Sequence, residues 1–486
     1  MAGYETVIGL ECHVELSTLT KMFCGCRNEF GAEPNTNVCP VCLGHPGSLP
    51  VPNVAAIASI IKIGLALECD IARHSLFHRK NYFYPDMPKN FQISQYDLPI
   101  CLGGRLTIEV GEAMREIGIT RVHMEEDTGK TSHAGTTGRI AEADYALIDY
   151  NRAGVPLVEV VSEPDMRSPD EARAYLTELR SILRALGVSD VRMEEGSLRC
   201  DANVSTRPAG SEAFGRRVEI KNLNSIRSLE RALRYEEERQ RELLDAGQPI
   251  TQETRHFDEN TGRTHTLRSK EEAFDYRYFP EPDLSPLDPP AEWIEDIRAS
   301  LPELPAARRA RYADRHGLTR GQAATLVAND RLAMLFDETL GASERASGQA
   351  VANWITQNLV GVANERGIDL EHIELDAGEI GAIIRLVEDG SISATAGKQV
   401  LDEVVATGKP AEQIVDDKGL RQVSDTGQLR AWAEQAIAEN PGPVEQFRNG
   451  KEGAINALVG QVMKKSRGSA NPQVVQQILR QRLSGS

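Results

Sequence analysis

Glu11, His13 and Glu15 alternate with Leu10, Cys12, Val14 and Leu16 near the start of this 486-residue chain. Side chains of a strand point alternately to opposite faces, so this period predicts a half-buried strand presenting three ionisable groups together. Three more stretches repeat the pattern. Arg121, His123 and Glu125 align between Ile117 and Glu126. Arg199, Asp201, Asn203 and Ser205 oppose Leu198, Cys200, Ala202 and Val204, while Arg217, Glu219 and Lys221 oppose Val218 and Ile220. Any one such face could simply meet water, as one side of an antiparallel sheet often does. Four with the same Glu, His, Asp, Arg and Asn vocabulary point instead to a shared site. Carboxylates for Mg2+ and cations for phosphate are the equipment of phosphoryl transfer.

Glu159 interrupts the apolar run Pro156 to Val161. A lone buried acid is costly unless it is paired or metal-bound. A metal is the preferred partner, with Arg152 the competing one. Cys24, Cys26, Cys39 and Cys42 form C-x-C-x12-C-x2-C, two close pairs able to give four thiolates to a tetrahedral structural Zn2+. Four unpaired structural cysteines are the alternative. Between Arg79 and Gln92, cations interleave with Tyr82, Phe83, Tyr84 and Phe91 in a chain only 5% aromatic. Such rings can stack unpaired bases while Arg79 and Lys80 contact phosphates. They can equally fill core beneath a proline-stiffened loop, and Asp275 to Asp283 carries the same ambiguity. Gly129-Lys130-Thr131 resembles the end of a P-loop, but position 124 is Met where glycine is required, and Glu125-Glu126-Asp127 would repel phosphate. A Walker-type fold is rejected.

The elements that must position these groups fall into three regions. Residues 1–290 mix strands, turns and a few helices, an α+β domain built on an antiparallel sheet whose polar side stays open. Within it, Ser168-Pro169-Asp170-Glu171 supplies an N-cap, a proline at N1 and a capping-box acid, followed by a Leu176, Leu179, Leu183, Leu186 stripe ended by Gly187. A second helix is expected from Ser225 to Ala246. Prolines crowd residues 279–305 and mark a boundary without regular structure. Two small all-helical domains follow, 291–406 and 407–486, with helices expected at Ala323–Leu340, Ala350–Asn364, Ala377–Glu388 and Gly397–Ala406.

The net charge of −17 argues against indiscriminate nucleic-acid binding. Residues 441–486, however, hold seven Lys/Arg against two Asp/Glu, so any RNA contact falls on local patches such as this tail. All eight cysteines lie in the first 200 residues, four of them clustered, which suits reduced thiols and a metal rather than a disulfide framework. With no run of roughly 18 uncharged apolar residues and no basic stretch leading into an apolar core at the start, a soluble, cytoplasmic protein is expected, with no membrane partner.

Glu11-Cys12-His13-Val14-Glu15-Leu16, Arg79-Lys80-Asn81-Tyr82-Phe83-Tyr84-Pro85-Asp86 and His123-Met124-Glu125-Glu126-Asp127 occur in order. Asp149 to Glu159, Gly196 to Asn203 and Lys221-Asn222-Leu223-Asn224-Ser225 follow. With these motifs the chain resembles the GatB family of bacterial aspartyl/glutamyl-tRNA amidotransferases over essentially its full length. The resemblance implies a cradle related to the glutamine synthetase fold, a helical domain and a tRNA-binding tail domain. It implies a heterotrimer with two partners, an amidase and a small protein, acting on misacylated Glu-tRNA(Gln) and often Asp-tRNA(Asn). ATP phosphorylates the side-chain carboxylate, and ammonia from glutamine hydrolysed on the amidase displaces the phosphate. On that reading Glu11, His13, Glu125 and Glu159 hold Mg2+, Arg199 and Lys221 neutralise the phosphoryl group, and Asp201 and Asn203 complete the nucleotide face. His13 could alternatively orient ammonia. The tail segment Val459 to Pro472 also matches, placing Lys464, Lys465 and Arg467 on tRNA phosphates. Some family members lack the four thiols, so zinc is structural and not required by the chemistry. A non-catalytic tRNA-binding adaptor and a free-standing small-acid ligase are the rival readings.

Overall fold

The computed structural model describes residues 3–134, 144–269, 275–343, 346–422, 426–466 and 470–484. Two compact units divide the chain, Met1–Pro305 and Ala306–Ser486.

The first unit is built on a 13-stranded sheet. Its main path uses β1 (Tyr4–Glu15), β2 (His78–Asn81), β3 (Phe91–Ser94), β4 (Ala113–Glu126), β5 (Pro156–Ser162) and β6 (Leu198–Pro208). It continues with β7 (Val218–Lys221), β8 (Glu253–Asp258), β9 (Arg263–Ser269) and β10 (Phe279–Pro280). The spatial order is β9-β8-β7-β6-β1-β5-β4-β3-β2-β10, which puts the first strand at the centre. The sheet is mixed rather than purely antiparallel, because β7 and β8 run parallel. The reason is the connection between them: Ile226–Asp245 is a helix, and a helical crossover returns the chain in the same direction where a hairpin would reverse it.

Every strand expected to be half-buried hides its predicted apolar side. Ile8, Leu10, Cys12, Val14, Val122, Met124, Leu198, Ala202, Val218 and Ile220 are all buried, as are Val158 and Val160 of the apolar run 156–161. They form one core with the helices α1 (Val54–Ala66), α2 (Pro169–Ala185) and α3 (Ile226–Asp245). In α2 the leucine stripe is buried as expected, and Ser168 Oγ accepts from the Glu171 amide. The reciprocal half of the capping box is displaced by one residue, since the Glu171 carboxylate accepts from the Arg167 amide at 2.6 Å. The proline-rich segment does hold regular structure. Pro290 precedes a helix, Ala291–Ala299, where proline's fixed φ suits a helix entry, and Ile294 and Ile297 join the first core. The first compact unit therefore extends to Pro305.

The second unit is helical and contains two separate apolar clusters. One gathers residues from Tyr312 to Val415 and the other residues from Leu429 to Leu483. The helix expected at Ala323–Leu340 is two, Arg320–Val327 and Asp330–Ala342. Asn329 breaks the run because its side chain accepts from the Leu332 amide and caps a new helix. Among the described residues, no helix is long and apolar enough to cross a membrane.

Candidate functional site on the polar sheet face

Strand register brings the ionisable residues into line. His123 on β4 pairs with Glu159 on β5, Glu159 with His13 on β1, and His13 with Arg199 on β6. Directly opposed residues of antiparallel strands project to the same face with Cβ atoms about 5 Å apart, so one ladder crosses four strands. A neighbouring row sets Glu11 opposite Asp201. Ligating atoms of His13, Glu125 and Glu159 all lie within 4.8 Å of one another. Glu11 stands two residues along the same face, outside that trio, where Asn203 Nδ2 donates to it at 2.8 Å.

Glu125 is buried and Glu159 half-buried, and both carboxyls are nonetheless held below the ordinary range. Burial opposes charge on Glu125, but His123, Lys80 and His13 outweigh it and hold the carboxyl well below its ordinary range. Ser94 Oγ and Gln92 Nε2 also donate to it at 2.9 and 3.0 Å. Glu159 is lowered the same way, against burial, by His123 and His13. For His123 burial disfavours the imidazolium, and the Glu125 and Glu159 carboxylates still lift it to about 9. Its Nε2 lies 3.4 Å from Glu125 and 3.2 Å from Glu159. Glu11 moves the other way, raised by burial and by the nearby Glu159. Arg152 is not the partner of Glu159. It points to Asp127, 3.8 Å away, and donates to the Thr128 and Gly129 carbonyls. The alternation places His123 on this face but assigns it no role, and it proves central to the electrostatics.

Two cations follow on the strands to one side of the cluster. Arg199 is hydrogen-bonded to buried Asp127 and lies 3.9 Å from Glu15. Lys221 bonds Asp201 and lies 3.2 Å from Glu219, and these acids hold its ammonium charged despite burial. Of the acids at 125–127, Glu125 belongs to the trio, Glu126 is paired with Lys89, and Asp127 holds Arg199. Lys130 opens a hairpin strand, Lys130–Ala134 paired with Tyr145–Asp149, consistent with rejecting a P-loop.

The two aromatic segments meet, because β10 pairs with β2 and the Asn81 amide donates to the Tyr276 carbonyl. Arg79, expected on RNA phosphates, is held by the Glu281 carboxylate at 2.7 and 2.8 Å and lies over the Phe91 ring. Lys80 points inward. Burial disfavours its charge, yet Glu125 and Glu159 keep its pKa above the ordinary lysine value. Tyr82 is half-buried against Tyr84 and Tyr276.

A family model described as the GatB/GatE catalytic domain matches residues 6–295, and a second, described as the GatB domain, matches residues 334–483. The GatB-type aspartyl/glutamyl-tRNA(Asn/Gln) amidotransferase protein from Carboxydothermus hydrogenoformans is 51% identical over 484 residues, covering the whole of both chains. The protein of the same name from Frankia casuarinae is 54% identical over 492 residues, all of this chain and 97% of the relative. The chain belongs to the GatB family.

This GatB-family chain also gathers its four clustered cysteines. The sulfurs of Cys24, Cys26, Cys39 and Cys42 lie within 4.8 Å of one another. Four thiolates so close would repel without a cation, and the donor set matches tetrahedral zinc. Buried Lys21, 3.7 Å from the Cys42 sulfur, contributes one compensating charge. Gly154 (φ +88°) passes alongside, where an added Cβ would lie 3.4 Å from that of Cys42. In the tail of this GatB-family chain, Lys464 and Lys465 close the helix Ile455–Lys465, and Lys465 pairs with Glu439 at 2.8 Å. Arg467 lies outside the described residues.

Proposed function

We propose that the polar sheet face phosphorylates the side-chain carboxylate of Glu-tRNA(Gln), Asp-tRNA(Asn) or both, using ATP, and then supports its amidation. The single observation carrying this reading is the convergence of His13, Glu125 and Glu159, with Arg199 next to His13 across the strands and Lys221 beyond Asp201 in the neighbouring row. Two carboxylates, buried Glu125 and half-buried Glu159, whose pKa values are both lowered suit a hard cation such as Mg2+, and His13 adds a nitrogen donor. Glu11, beside them, completes the set in this reading. Bound there, Mg2+ would supply positive charge between the terminal phosphates of ATP.

The remaining chemistry belongs to the chain's own side chains. A carboxylate resists ammonia because oxide is a poor leaving group. Transfer of the terminal phosphoryl group to a carboxylate oxygen releases ADP and turns that oxygen into part of a phosphate. Ammonia then attacks the acyl carbon, phosphate departs, and a proton leaves nitrogen. Arg199 and Lys221 are fixed by Asp127 and by Asp201 with Glu219, so they meet developing phosphoryl charge without reorganising. Asn203 orients Glu11, and Asp201 holds Lys221, at the nucleotide. His13 alternatively steers ammonia.

In the same reading the cradle, 1–290, follows the glutamine synthetase plan, 291–406 is a helical spacer and 407–486 contacts tRNA through Lys464, Lys465 and Arg467. Two separate helical cores support two helical bodies, but the first core runs to Val415, past the 406/407 boundary, and Ala291–Ala299 packs with the cradle. An amidase partner supplies ammonia and a small third protein completes a cytoplasmic heterotrimer, while Zn2+ on the four cysteines is structural. The test is an assay for phosphorylated Glu-tRNA with and without the amidase and glutamine. The wild type forms it from ATP alone, and Glu125→Gln loses it while still binding tRNA. Undiminished phosphorylation in the variant would favour the adaptor reading.

A further inference from the structure

Five of the chain's 11 tyrosines, Tyr82, Tyr84, Tyr96, Tyr276 and Tyr278, form one chain of rings beside the acidic cluster. Tyr96 and Tyr278 are stacked nearly parallel, 4.3 Å between centroids and 7° between planes. Tyr82 links Tyr84 to Tyr276 at 6.5 and 6.2 Å. A core role does not account for this group. Tyr175 and Tyr312 are fully buried, as packing tyrosines are, whereas Tyr84 is 64% and Tyr96 48% exposed. Tyr96 and half-buried Tyr278 cover one face of each other, and the exposed area of Tyr84 and Tyr96 leaves ring surface open to a flat ligand.

Charge completes the surface. Arg121 donates to the Tyr96 carbonyl at 3.2 Å, and Arg277, between two of the tyrosines in sequence, is exposed. Neither has an ion pair with an acid among the described residues. Lys80 Nζ lies 5.1 Å from the Tyr276 ring centre and feels Glu125 and Glu159, so it stands between the rings and the acids. A nucleobase offers the flat face that tyrosine stacks, and guanidinium groups suit its phosphates. A free nucleotide has one base. Several ring faces beside two available guanidinium groups suit consecutive unpaired nucleotides.

We propose that Tyr84, Tyr96 and Tyr278 are the stacking platform for the unpaired 3′ end of the substrate RNA, with Arg121 and Arg277 on its phosphates. Its ester-linked amino acid then reaches Glu125 and Glu159 past Lys80. This rests on the phosphorylation reading above.

The experiment uses the full chain assembled with its amidase and small partner proteins, as wild type, Tyr96→Ala, Tyr96→Phe and Tyr278→Ala, each checked for unchanged thermal unfolding. One stacked base contributes a factor of roughly five to 150 in affinity. The KM for Glu-tRNA should rise by a factor in that range in each alanine variant. The KM for ATP should stay constant, and Tyr96→Phe should behave as wild type. A tRNA ending in 2-aminopurine should lose fluorescence on binding wild type and keep it with Tyr96→Ala. Folded alanine variants with an unchanged tRNA KM overturn the proposal. So does a rise confined to the KM for ATP, which would assign the rings to the nucleotide. Loss of a partner protein with tRNA KM unchanged would make the surface a protein interface and also overturns it. Quenching requires no turnover, so platform and phosphorylation can fail separately.

Discussion

Replacing Arg199 with methionine separates a structural from a chemical role at one residue. Asp127, its partner, is only 3% exposed, and stranding a buried charge typically costs about 3–5 kcal/mol. The low end applies here, about 3 kcal/mol. Arg199 is 36% exposed, Arg152 remains 3.8 Å from Asp127, and the Thr128 amide still donates to that carboxylate. Glu15 adds little to the loss, because burial and Asp127 push it up to about 8 and leave it protonated at neutral pH. Arg199→Met should therefore lower the unfolding free energy of the full chain by about 3 kcal/mol in urea titration. Adding Asp127→Asn removes the stranded charge and should restore roughly 2 kcal/mol of it. Phosphorylation of Glu-tRNA should fall by about 100- to 1000-fold in both the single and the double variant, the usual loss when one preorganised positive group is taken from developing charge. If activity returns together with stability in the double variant, Arg199 is a brace and the phosphoryl assignment is wrong.

Further outcomes follow from the other sites. Purified protein should contain one zinc per chain by elemental analysis; chelation should expose residues 17–53 to protease, and an intact, zinc-free fold refutes the metal. Replacing Lys464, Lys465 and Arg467 together with alanine should flatten the salt dependence of tRNA binding by roughly two ions released; an unchanged slope removes the tail from the interface. Gly397→Ala places a Cβ 2.8 Å from both Trp354 and Val387, so overpacking should destabilise the helical unit by about 1–3 kcal/mol in a thermal melt.

Much of the sheet was legible from alternation alone, because period-two patterning states which side chains share a face. Both the buried set around Val122, Val158 and Cys200 and the polar set around His13 follow from it. Order across the sheet was not legible. Nothing local in Val218–Lys221 says that its next neighbour will run parallel; that depends on the helix following it. Partner choice among acids was equally hidden, since Arg152 lies near Glu159 in sequence yet faces Asp127, while His123 reaches Glu159 across a strand pair. The meeting of Tyr96 with Tyr278 depends on a contact 182 positions apart, and Tyr96 lies in a segment with no motif of its own. The boundary at Asn329 was readable in principle from its capping chemistry, but continuous apolar periodicity masked it.

The central place of β1 has a consequence for how the protein is made. Both of its neighbours, Pro156–Ser162 and Leu198–Pro208, emerge from the ribosome long after it. Until Pro156–Ser162 has emerged, a strand carrying Ile8, Leu10 and Val14 has neither side of its backbone satisfied, and its second side waits for Leu198–Pro208. Closing such long loops before any contact rewards them makes folding slow. The nascent chain is therefore at its most vulnerable to aggregation before the sheet unit is finished, and folding yield should be more sensitive to mutations in β5 and β6 than to equal losses of stability in the helical unit.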